Sequence, residues 1–94
     1  MSGRRGVRAT GEINVLTRPS WEAALSAMAR CHEDVSYVEM SELQFVDVAG
    51  VAALAVTSLN LSGGRLVLEE PPSELRRILD IFWPDLPTIE VVPR

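Results

Sequence analysis

The 94-residue chain contains no lysine; all nine of its basic residues are arginine. With its many alanines and valines, that usage suggests a GC-rich bacterial genome. Cys31 is the only cysteine, so no internal disulfide can form. His32, the only histidine, is its neighbour. On a helix the two side chains diverge by about 100°, and no second Cys or His is present to complete a metal site. Cys31 therefore reads as a small packing residue, and His32, Glu33 and Asp34 as a solvated helix end. No metal and no cofactor are expected. No apolar run approaches the roughly 20 residues that cross a bilayer, so no direct membrane insertion is expected. The start, MSGRRGVRATGE, is basic but lacks the apolar segment of a signal peptide. A cytoplasmic location is the simplest expectation. A glycine-rich phosphate loop is also missing, because "SGGR" leads into a strand pattern and not a helix.

The length favours one domain, and the 47% hydrophobic and 23% charged composition is ordinary for a globular one. The net charge is −4, yet Arg4, Arg5 and Arg8 cluster at the start. The body is thus acidic, which argues against a nucleic-acid groove. Residues 1–9 read as a basic tail running into the first strand, and 10–94 as the domain.

Periodicity and punctuation predict alternating elements. Val7 to Val15 is a strand candidate broken around Gly11. "TRPSWEAALSAMARC" reads as a helix, capped by Thr17 or Ser20, with Trp21, Leu25 and Met28 on one stripe. Val35 to Met40 is a short strand, and Ser41-Glu42 a polar link. A helix from Val48 to Leu61 follows, ended by Gly63-Gly64. "RLVLEE" is a strand, "PPSELRRILDIFW" a helix with Ser73 as cap, and "TIEVV" a last strand. Strand–helix alternation predicts an α/β fold: a small, mostly parallel sheet of about four strands, with about three helices mainly on one face. The core is expected from Ile13, Leu25, Val38, Val51, Leu54, Leu66, Leu68, Leu75, Leu79 and Val91, with Val48, Val56 and Leu59 of the second helix.

Within "FVDVAGVAALAV", Asp47 is the one charge, at a helix start. A carboxylate there accepts backbone N–H bonds and favours the positive end of the helix dipole, on the order of 1 kcal/mol. Catalysis needs a partner group, and Val46, Val48, Ala49 and Gly50 supply none. No catalytic residue is expected. The helix after Asp47 is apolar nearly all round, which implies burial on more than one side. Ala49, Ala53 and Thr57, four apart, are small enough to let another backbone approach. Trp83, beside Phe82 in "DIFWPDLP", is either an exposed anchor or a lid on the core.

Three segments together resemble the STAS domain, the fold of bacterial anti-sigma factor antagonists. They are "TGEINVLTRPSWEAAL", "YVEMSELQFVDVAGVAALAV" and "GGRLVLEEPPSELRRILDIF", and the resemblance covers roughly residues 10–92. It implies a non-enzymatic module that binds a protein, often a serine-kinase anti-sigma factor, and is released by phosphorylation of a hydroxyl after the motif aspartate. A phosphate there would bring about −1.5 to −2 charges to an apolar interface. In this sequence that position is Val48, followed by Ala49, and neither has a hydroxyl. The same resemblance extends to subunits of lipid-trafficking ABC transporters, where this helix docks on a nucleotide-binding subunit. The expected partner surface is Phe45, Asp47, Val48, Ala49, Gly50, Val51, Ala53, Thr57 and Trp83. A small-ligand sensor, with Trp21 or Trp83 lining a pocket, is the alternative of a different class, and a homodimer is left open.

Overall fold

The computed structural model describes residues 6–30, 34–61 and 64–92. Seven elements alternate: β1 (Gly6–Ile13), α1 (Arg18–Ala29), β2 (Val35–Val46), α2 (Val48–Asn60), β3 (Arg65–Glu69), α3 (Ser73–Phe82) and β4 (Ile89–Val92). All strand pairs are parallel, in the order β1-β2-β3-β4. With right-handed crossovers, that sequential order places the three helices on one face. α1 packs on α2, and α2 on α3.

The core lies between sheet and helices. Val38, Leu54, Leu66, Leu68 and Leu75 have no exposed surface, and Leu25 and Met40 almost none. Side chains alternate across a strand, so Tyr37, Glu39, Arg65, Val67 and Glu90 point to the other face. That face carries ion pairs rather than a helix: Arg8 Nε to Glu39 Oε1 at 3.5 Å, and Arg65 Nε to Glu90 Oε1 at 3.4 Å. An exposed pair such as Arg65–Glu90 contributes little to stability, in the range of about 0–1 kcal/mol.

Four expectations change. β2 runs to Val46, because its outer half, read as a polar link, pairs with β1 from Thr10 to Ile13. Thr17 occupies the N-cap of α1 without a side-chain cap bond, since its hydroxyl serves the preceding turn. Pro72, not Ser73, is the N-cap of α3. Val48, Val56 and Leu59, expected in the core, are 48%, 56% and 60% exposed. Cys31, read as a packing residue, His32, Glu33 and Gly63, assigned to helix ends, and Arg4 and Arg5 of the basic tail lie outside the described residues.

Candidate functional site

Asp47 has extended backbone angles (φ −87°, ψ 174°), as an N-cap residue requires. Its Oδ1 accepts from the Gly50 N–H at 2.8 Å, and its own N–H donates to the Ile13 carbonyl at 3.1 Å. One bond starts the helix and the other ties that start to the end of β1. The expected capping role is therefore visible in the structure.

Gly50 has a steric reason to be glycine. A Cβ there would stand 2.7 Å from Ile13 Cγ2 and 2.8 Å from Val46 Cγ2. The first turn of α2 thus lies directly on the sheet. The indole Nε1 of Trp21 donates to the Gly50 carbonyl at 3.0 Å and joins α1 to the same turn. Trp21 is buried in the core.

The outer surface of α2 differs from the expected one. Gly50, Val51, Leu54, Ala55 and Ser58 are buried, so Gly50 and Val51 cannot reach a partner. Val51 has no exposed surface at all. Ala49, Ala53 and Thr57 are half-buried and face α1 across a groove of about 410 Å³. Glu22 and Ser26 form its α1 wall, and Ala52, Val56 and Asn60 complete the α2 wall. The open side of the helix is Val48, Ala52, Val56 and Leu59. At 100° per residue those four positions fall within one arc of about 80°, separate from the arc of Val51, Leu54 and Ser58. That phase was available in the sequence, but a helix apolar all round does not declare which arc is the inner one.

Phe45 stands apart from this surface. It is paired with Glu12, one residue before the buried Ile13–Val46 pair, so its ring projects to the face of the sheet away from α2. Trp83 is also elsewhere. It is half-buried, packs on the core, touches the Phe82 ring with centroids 5.9 Å apart, and lines a small cavity with Leu79, Leu86 and Ile89. It is the lid of the two alternatives, and its neighbour Phe82 is the more exposed ring at 57%.

Among the described residues, no group of three or more His, Cys, Asp or Glu side chains is placed to hold a metal ion. No described helix is long and apolar enough to cross a membrane.

Residues 2–83 match a family model described as "Mlab, STAS domain". The chain belongs to the STAS family. No curated protein matches it. Among solved structures, the unphosphorylated form of the anti-sigma factor antagonist SpoIIAA matches this STAS domain with a TM-score of 0.73 at 20% identity. The match covers 100% of this chain and 85% of that one. At that identity the likeness shows a common fold: four parallel strands with three crossover helices.

Proposed function

We propose that this STAS domain is a non-enzymatic docking module that binds a protein through the open side of α2 and the adjoining groove against α1. The observation that carries the reading is the surface of α2. Its 13 residues include no charge, and Val48, Val56 and Leu59 are each about half exposed or more. A helix that merely closed its own core would put polar residues on that side. Ala49, Ala52 and Ala53 leave room for a ridge of side chains from a second surface. Asp47 orients the first turn and adds a local negative charge.

The partner classes that fit are a serine-kinase anti-sigma factor, which we propose first, and the nucleotide-binding subunit of a lipid-trafficking ABC transporter. Release by phosphorylation at the usual position is not part of the proposal, since Val48 and Ala49 offer no hydroxyl. Of the two tryptophans the sensor alternative names, Trp21 is committed to the Gly50 carbonyl, and Trp83 lines only a small cavity of about 180 Å³.

The test is calorimetric titration of the purified domain against purified proteins encoded beside its gene, taken from both classes. Val56→Arg is the variant to compare, since Val56 is 56% exposed. Ala53→Arg is less suitable, because Ala53 packs partly against the core. A partner should lose on the order of 100-fold in affinity for Val56→Arg, with the circular dichroism spectrum unchanged. A partner that binds both forms equally well would remove α2 from the interface.

A further inference from the structure

We propose that the turn between β1 and α1 is a preformed apolar anchor for the partner, and that it enters an apolar pocket with a basic rim. This rests on the docking reading above and extends it to residues outside α2.

Val15 and Leu16 are the two most exposed large hydrophobic residues among those described, at 68% and 85%. Single exposed apolar residues are common on proteins. These two are consecutive, and polar bonds fix them in place. Asn14 Oδ1 accepts from the N–H of Leu16 at 2.9 Å and of Thr17 at 3.2 Å. The Asn14 N–H donates to Thr17 Oγ1 at 2.9 Å, and that hydroxyl donates to the Glu12 carbonyl at 2.9 Å. The Arg18 N–H closes the turn on the Asn14 carbonyl at 2.9 Å. The polar side chains of the turn are thus spent on its backbone, and the aliphatic ones face water. Ordering of the turn is complete before any partner arrives, which lowers the entropic cost of binding.

The turn is continuous with the proposed interface. The Asp47 N–H to Ile13 carbonyl bond joins the two loops. Val15 follows that bond by two residues on one side, and Val48 follows it by one on the other.

The charges beside this surface select the occupant. Glu12 is exposed, and Asn14 Nδ2 donates to its Oε1 at 3.4 Å, which places the carboxylate at the base of the turn. Asp47 is on the neighbouring loop, and Glu22 lines the groove farther along α2. Arg18, the base nearest in sequence, is half-buried, so these carboxylates outnumber it beside the turn. A second copy of the chain would present the same acids and meet like with like. An anionic lipid surface would be repelled for the same reason. A protein pocket rimmed by Arg or Lys satisfies both the aliphatic pair and the carboxylates, and attraction of this kind also speeds encounter.

Photo-cross-linking in the cells that naturally make the chain tests this. p-Benzoylphenylalanine is placed at Leu16, at Val56, or at Glu90 on the uncovered sheet face. The expected result is one protein species captured from both Leu16 and Val56 and none from Glu90. Its captured segment should be apolar with Arg or Lys flanking it. With the probe at Val56, the pair Val15→Ser and Leu16→Ser should lower the yield of that adduct about tenfold, with an unchanged melting temperature. Capture from Val56 alone, or a yield indifferent to the serine pair, overturns the anchor and leaves the docking reading standing. Capture from neither position overturns both. Capture of lipid or of a second copy from Leu16 overturns the assignment of a basic protein pocket.

Discussion

α2 and α3 lie side by side on the same face of one sheet, yet they meet solvent in opposite ways. α3 buries Leu75 and Leu79 and turns Glu74, Arg76, Arg77 and Asp80 outward. α2 buries Val51, Leu54 and Ala55 and turns Val48, Val56 and Leu59 outward. Along most of its length α3 has a finished solvent surface, with apolar exposure only at Ile81 and Phe82 in its last turn. α2 has no polar band at all until Thr57, Ser58 and Asn60. α2 also packs against both α1 and α3, but that covers its flanks and leaves Val48, Val56 and Leu59 exposed. The docking proposed for the outer side of α2 would account for it.

The contrast predicts that the two arcs of α2 respond to truncation very differently. The largest effect belongs to the inner arc. Leu54 has no exposed surface, so Leu54→Ala should cost about 2–5 kcal/mol through lost transfer energy and the cavity left behind. A urea titration followed by circular dichroism reads this directly. A cost below about 1 kcal/mol would mean that α2 is not seated on the sheet as described.

A smaller loss is expected for Gly50→Ala, where two effects oppose. Helix propensity favours alanine by about 1 kcal/mol. The added Cβ, however, would overlap the Ile13 and Val46 methyl groups, and overpacking of a buried site costs about 1–3 kcal/mol. Both neighbours are buried branched residues with little room to turn away. The steric term should win, giving a net loss on the order of 1 kcal/mol at the urea midpoint. A stabilised variant would show that the first turn of α2 can lift off the sheet at little cost.

Much of this architecture is legible in the sequence because its signals are local. Pro19, Pro71, Pro72 and Pro84 mark helix boundaries, and "RLVLEE" and "TIEVV" are strands of the right length between turn residues. Sequential parallel order then follows from strand–helix alternation alone. The outer half of β2 was hidden because Ser41, Glu42 and Gln44 are polar, and a strand end that reaches past β3 and pairs with β1 alone can afford them. The surface was less legible. Asp47 as a cap needs only its position before an apolar run. The phase of α2 needs a polar arc for reference, and α2 lacks one, which is why Val56 and Leu59 read as core and Val51 as both core and partner surface. Val15 and Leu16 gave no signal as a pair. Their exposure arises from the bonds of Asn14 and Thr17, which only the folded turn reveals.

The smallest effect on stability, and the sharpest test of the contrast, is on the outer arc. Val56→Ser with Leu59→Ser replaces two aliphatic side chains that are each more than half exposed. Valine and serine have similar helix propensity, and substitutions away from the core usually stay within about 0.5 kcal/mol. Serine in place of leucine gives up a few tenths of a kcal/mol of propensity more. The double variant should therefore unfold close to the wild-type midpoint, while retention on a hydrophobic-interaction column falls. Arg77→Ser on the outer side of α3 should also leave stability unchanged, but should not lower retention, since it removes a charge rather than an apolar group. Were the serine pair instead to unfold early, Val56 and Leu59 would belong to the domain's own packing. The unfinished look of α2 would then have an internal cause, and no partner would be needed to explain it.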